Sequence, residues 1–294
     1  MRHLLSPKAS EKMRFNFKHL AATAVVSGTV SVFLSRNFFQ SEKKITHRIH
    51  TDYSVADPDF TRTISHLLGP PLVKGNHVRI LENGAEIFPA MLEAIHAAEK
   101  TITFENFVFS SGEVASEISR ALASKARQGV KVHFLQDAMG CNCVHGSEIA
   151  HMKKAGVEVE IFRYFNLRFN ERTHRKLLVV DGRIGFIGGV GISDEWKGNG
   201  TKAGRWRDTQ YRVEGPVVAQ IQQAFMDNWM QTRARVLHGP DYFPELAEAG
   251  DYRCQAFKSS SCEGAEGARL MYLMSIAAAR RSIQIANAYF IPDD

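Results

Sequence analysis

The chain has 294 residues, 44% of them hydrophobic and 23% charged, with a net charge of +6 and a pI near 9.1. That apolar content can fill one full core and part of another. The basic excess suits an anionic lipid surface and a nucleic acid equally, so charge excludes neither.

In chain order, Arg2, Lys8, Lys12, Arg14 and Lys18 precede residues 20–34, an uncharged stretch rich in Ser, Thr and Gly, and Arg36, Lys43 and Lys44 follow it. A spanning helix takes ~20 apolar residues, so this stretch is short for one. No small-x-small cleavage site follows, and residues 1–45 read as a retained membrane anchor, with a disordered basic tail as the plain alternative. Residues 46–76, with Asp57-Pro58 and Gly69-Pro70-Pro71, read as a linker. From residue 77 the pattern alternates: strands at 78–81, 101–109, 131–137 and 157–162, and helices at 87–98, 114–127 and 149–154. A strand hairpin around residue 181, a strand at 209–213 and a helix at 217–233 complete the unit. The alternation predicts an α/β sandwich with a mixed sheet and helices on both faces. Cys141 and Cys143 stand too close for a relaxed disulfide with each other and lack a His or Cys pair at zinc spacing, so no metal and no cofactor is expected. Cys254 and Cys262 can bridge a loop in an oxidising compartment.

Residues 173–182 read Thr-His-Arg-Lys-Leu-Leu-Val-Val-Asp-Gly, a His-x-Lys-x-x-x-x-Asp pattern built on His174, Lys176 and Asp181. Residues two apart in a strand share a face. A nucleophilic imidazole thus stands beside a fixed positive charge, a pairing suited to attack on a phosphate ester. Asp181 completes the motif and is a candidate for the catalytic set. Its parity is opposite, however, and it opens an Asp-Gly turn, so a structural or hydrogen-bonding role fits it better. The next strand ends in a glycine pair at 188–189, where backbone N–H groups can approach a ligand. A surface His and Lys beside a hairpin is the plain alternative, and the glycine context argues against it. Arg163, Arg168, Arg172, Arg175 and Arg183 are interleaved with Phe162, Tyr164, Phe165 and Phe169. That mixture suits anionic headgroups with rings in the interface, or stacked nucleobases, or a plain solvated loop.

With Gly-Gly-Val-Gly-Ile-Ser-Asp-Glu-Trp at 188–196, Trp-Arg-Asp-Thr at 206–209 and Val-Glu-Gly-Pro-Val-Val at 213–218, the sequence resembles the phospholipase D superfamily. More narrowly it is similar to bacterial cardiolipin synthases, from about residue 77 onward. The resemblance implies a two-repeat α/β sandwich. In such a fold one motif histidine attacks phosphorus to form a phosphohistidine, and a second, from a second motif, protonates the leaving group without metal. It makes His174 the nucleophile or its partner and Lys176 the phosphate clamp. Gly188, Gly189, Gly191 and Ser193 become phosphate-binding candidates. A downstream acid usually fixes the histidine tautomer, and Asp208, opening the next strand, is the candidate. Where much of the family carries Asn, this chain has Gly191, so backbone N–H groups or the Ser193 hydroxyl would have to substitute. The implied reaction joins two phosphatidylglycerol molecules into cardiolipin and glycerol at the bacterial inner membrane, with phosphatidylglycerol or another anionic phospholipid as partner. A phosphodiesterase or nuclease is the alternative, which the N-terminal anchor disfavours along with a nucleic-acid partner. A catalytically silent lipid-binding half-enzyme is another.

Only one motif is present. Residues 91–109 and 272–290 nevertheless align at a constant offset of 181, both reading as a helix leading into an apolar strand. The same offset puts a counterpart of His174 near position 355. Residues 77–240 are therefore expected to form a first, complete domain and residues 241–294 the beginning of a second, as in a truncated two-motif enzyme. A half-enzyme completed by a homodimer is the other arrangement.

Overall fold

A computed structural model describes residues 7–38, 48–140, 146–162, 172–259 and 265–287. The aromatic and basic residues at 163–171, together with Cys141, Cys143 and Cys262, lie outside the described residues. The described residues fall into two compact units, one of residues 7–38 and the other of those from residue 48 onward. In the first, α1 (Pro7–Phe38) runs through the uncharged stretch and well beyond it on both sides. Among the described residues no helix is long and apolar enough to cross a membrane.

The second unit is an eight-stranded mixed sheet. In chain order its elements are α2 (Pro58–Leu67), β1 (Val73–Glu82), α3 (Asn83–Ala97), β2 (Thr101–Asn106), α4 (Glu113–Arg127), β3 (Lys131–Asp137), α5 (Gly146–Lys154) and β4 (Glu158–Phe162). There follow β5 (Leu177–Val180), β6 (Ile184–Gly188), β7 (Thr209–Glu214), α6 (Val218–Arg233), β8 (Tyr252–Cys254) and α7 (Ala265–Ala278). The strand order is β4-β3-β2-β5-β6-β7-β1-β8. β2, β3 and β4 pair in parallel through helical crossovers, whereas β2–β5, β5–β6, β6–β7, β7–β1 and β1–β8 are antiparallel.

Alternation along each strand divides the core between two faces. Ile102 and Phe104, Val132 and Phe134, and Leu178, Val180 and Phe186 pack against Met91 and Ile95 of α3 and Ile118 and Leu122 of α4. Residues of the other parity, Leu135, Leu177, Val179 and Val213, pack against Ile221, Phe225 and Trp229 of α6. Burying some ten large side chains on each face stabilises the sandwich by roughly 2 kcal/mol per side chain before the entropy of ordering them is subtracted.

Two expectations differ from what is seen. The stretch 46–76, read as a linker, holds α2 and the start of β1. Pro58, at the start of that helix, presets its backbone, and Ile64 and Leu68 bury against Met274 of α7. After α7, the expected apolar strand is not formed over residues 281–287, and Ile283 and Ile285 are exposed. β-propensity yields a strand only beside a partner that completes its ladder, and none of the eight strands pairs there.

Candidate active site

β5 leads out of the motif. Its far end turns at Asp181 and Gly182, both at positive φ (52° and 63°), and Arg183 N–H closes the turn on the Val180 carbonyl at 2.9 Å. This is the geometry that favours an Asp-Gly pair. The Asp181 carboxylate accepts N–H bonds from Glu99, Lys100 and Thr101 at 2.9, 2.7 and 2.8 Å. Asp181 thus fastens the hairpin to the start of β2, at the opposite end of β5 from His174, and the structure does not bring it to the other motif residues.

At the near end, Lys176 Nζ lies 3.1 Å from each imidazole nitrogen of His174 and donates to the His174 carbonyl at 2.9 Å. Phe107 covers the pair, its ring 4.6 Å from the imidazole and 5.3 Å from Nζ. Burial pushes Lys176 down to about 8, with the charge of Asp208 opposing that fall. Burial, then the charges of Lys176 and Arg172, lower His174 against the pull of Asp137. These effects favour the neutral imidazole, with a lone pair beside a cation that can hold an anionic oxygen.

The hydrogen bond expected between Asp208 and His174 is not formed among the described residues. Asp208 Oδ2 accepts from Trp196 Nε1 at 2.8 Å and its Oδ1 from Thr209 N–H at 2.8 Å, and its charge acts on Lys176. Gly189 makes room for it, since a Cβ there would lie 2.5 Å from Asp208 Oδ1. Gly191 has an equally local cause: a Cβ would stand 2.8 Å from both the Trp196 ring and Val108. The indole fills the space that a side chain at 191 would need. Ser193 is buried, and its hydroxyl accepts from Glu195 N–H at 3.4 Å, capping the short 3-10 turn Asp194–Trp196. At Gly188 a Cβ would strike the Gln210 side-chain oxygen.

Three carboxamides that sequence reasoning passed over stand in the same register row as Lys176. Asn106 pairs with Gln136, and Gly188 with Gln210. Lys176 sits one residue before Leu177, which pairs with Glu105 and Ile187. Gln136 is 0% exposed and Asn106 and Gln210 are each 1% exposed. Among the described residues, Asn106 Oδ1, Gln210 Oε1 and both amide atoms of Gln136 have no hydrogen-bond partner. Polar residues closing otherwise apolar strands were the available signal.

On the opposite face, Thr173 donates its N–H to Asp137 at 2.8 Å and its hydroxyl to Glu105. Asn228 of α6 donates to Glu105 at 2.6 Å and to the Thr173 hydroxyl at 2.9 Å. Arg175 donates to the Ala224 carbonyl at 2.6 Å. Burial pushes Glu105 up to about 7, against hydrogen bonds from Thr173 and Asn228 and the charge of Arg175. Both neighbours of His174 are thereby fastened from behind.

A family described as cardiolipin synthase, PLD-like domain, matches residues 91–229. A cardiolipin synthase of Geobacillus kaustophilus is 34% identical over 76% of this chain and 46% of its own length. Cardiolipin synthase A of Pseudomonas fluorescens is 33% identical over 76% and 47%. The chain spans about half the length of the curated relatives it matches. Among solved structures, a phospholipase D family member, Nuc from Salmonella typhimurium, aligns with 56% of this chain and 99% of that one, at 17% identity and a TM-score of 0.42.

Proposed function

The chain belongs to the phospholipase D-like family of cardiolipin synthases through residues 91–229, and from that premise we propose that it carries a phosphatidyltransfer half-site for phosphatidylglycerol, working at the bacterial inner membrane. The supporting observation is the 3.1 Å contact of Lys176 Nζ with the His174 ring, whose pKa burial lowers. A His174 ring nitrogen attacks phosphorus while Lys176 holds a non-bridging oxygen. The P–N bond forms, the P–O bond to the headgroup glycerol breaks, and glycerol leaves after taking a proton from a general acid. The primary hydroxyl of a second phosphatidylglycerol then gives up its proton and attacks phosphorus. The P–N bond breaks, cardiolipin is released and the histidine is restored. The relatives' length fits a general acid supplied by a second half-site, or by a second copy of this chain. Proton transfer of that kind contributes roughly 10²–10⁴-fold, so the half-site alone is expected to form the adduct slowly and to turn over slowly.

The test is to incubate the chain with phosphatidylglycerol labelled at phosphorus, denature it, and look for an acid-labile, base-stable phosphoryl adduct at His174. The adduct is expected in the wild type and absent in His174→Ala. No adduct on phospholipid, or an adduct formed only from oligonucleotides, would overturn the reading.

A further inference from the structure

We propose that the loop at residues 197–207 docks onto an anionic phospholipid bilayer, with Trp206 entering the interface and Lys202, Arg205 and Arg207 meeting the headgroup phosphates. The inference rests on the phospholipid reading above and names the surface that presents the site to the membrane.

Between Glu195 and Asp208 the sequence holds four cations, Lys197, Lys202, Arg205 and Arg207, and no carboxylate. Lys197 pairs with Glu113. Lys202 and Arg207 are exposed, and among the described residues no carboxylate lies within ion-pairing distance of either. Trp206 is 52% exposed, whereas Trp196 and Trp229 are 4% and 0% exposed. An indole left in water beside unpaired cations is what an interfacial anchor requires, since its body favours the acyl boundary and its N–H the headgroups.

The loop is held firmly at its base. Gly198 accepts from Ala85 N–H at 3.0 Å, and Asp208 and Asn83 exchange two bonds at 2.8 and 3.2 Å. Trp206 N–H donates to the Glu195 carbonyl at 2.8 Å. The Trp206 ring meets the Trp196 ring edge-on at 4.6 Å, and Trp196 donates to Asp208, whose charge acts on Lys176. Docking at Trp206 therefore sets the bilayer two side chains from the phosphate-binding lysine.

Because Trp206 alone among the three tryptophans is exposed, fluorescence reads the loop directly. The whole chain is mixed with phosphatidylglycerol vesicles carrying brominated acyl chains, and with phosphatidylcholine vesicles brominated in the same way. Trp206 emission is expected to shift blue and to be quenched on the anionic vesicles only, and Trp206→Phe is expected to remove the quenched component. Each cation removed should weaken partitioning about fivefold, so Lys202→Gln with Arg207→Gln should weaken it roughly twenty-fivefold, and among the described residues neither side chain has an ion-pair partner whose loss would disturb folding. Vesicle binding with unquenched Trp206 would place the contact elsewhere and overturn the proposal. So would equal quenching on zwitterionic vesicles, or a change in Trp206 emission that follows protein concentration, the mark of self-association. A His174 adduct formed with Trp206 unquenched would sink the docking surface and leave the phosphatidyltransfer reading intact.

Discussion

On one face of the segment 173–176, Thr173 and Arg175 are held by Glu105, Asp137, Asn228 and the Ala224 carbonyl. On the other, His174 and Lys176 hold each other, and the amides flanking them leave atoms unpaired. The two sets lie in consecutive positions of the segment that leads into β5, so alternation along the chain separates them. Buried polar groups left without partners cost about 1–3 kcal/mol each. Among the described residues the network behind leaves one such atom, Glu105 Oε2, whereas the front row leaves four amide atoms open where substrate would bind. Substitutions on the front should therefore change chemistry and spare stability, and those behind should do the reverse.

The widest separation is expected at His174. His174→Ala should reduce adduct formation by at least roughly 10³-fold, as removal of a nucleophile does, while thermal unfolding shifts by no more than a few degrees. A large fall in melting temperature would show that the motif pair is itself part of the scaffold and would break the division. Behind it, Asn228→Ala opens the network at Glu105 and Thr173. A loss of about 2–3 kcal/mol in denaturant unfolding is expected, with some residual adduct whose yield falls through misplacement of His174.

The division also has a pH signature. Phosphate binding to the front face needs a charged Lys176, so affinity for sn-glycerol 3-phosphate should weaken as pH rises through about 8. Asp208→Asn removes the charge that holds Lys176 up, and the fall should begin at lower pH in a titration by calorimetry. The back face responds differently. Glu105 has its pKa raised from 4.5 to about 7 by burial, so its proton favours the fold at low pH. That contribution is complete below 4.5 and is lost as pH rises through 7, a span of about 3 kcal/mol. Burial lowers His133 from 6.5 to about 4, which gives the opposite slope: stability is present above 6.5 and is lost as pH falls through 4. Between about 4.5 and 6.5 the two oppose each other. Glu105→Gln should remove one, leaving a melting temperature that climbs with pH across that window. A flat profile in the variant would show that His133 does not titrate with folding.

Much of this arrangement could be read along the chain. β3 spans 131–137 as its apolar run suggested, and the ends of α3, α4, β4, β7 and α6 fall within a few residues of the expected positions. Asp181, at the Asp-Gly pair, proved to be a clamp on β2, as its parity implied. What the pattern could not show was pairing across distant strands. Asn106, Gln136 and Gln210 share a row with Lys176 only because β3, β2, β5, β6 and β7 lie side by side, and spacing within one strand carries no trace of that order. Asp208 was assigned to His174 from its place before a strand, yet a nearby indole claims one of its oxygens. The competition between Trp196 and a side chain at 191 is likewise a matter of volume in three dimensions.

The smallest expected effect separates an unfilled site from a merely imperfect core. If the amides of the front row wait for a polar ligand, Gln136→Met removes an unpaired group without leaving a cavity, and stability should stay level or rise by about 1 kcal/mol. The same variant should bind sn-glycerol 3-phosphate more weakly than the wild type while binding inorganic phosphate equally. A loss of stability would mean that Gln136 is satisfied in solution by buried water, which forms about three bonds to such groups. Its orphaned atoms would then belong to the scaffold, and the front face would be closed in the same sense as the back.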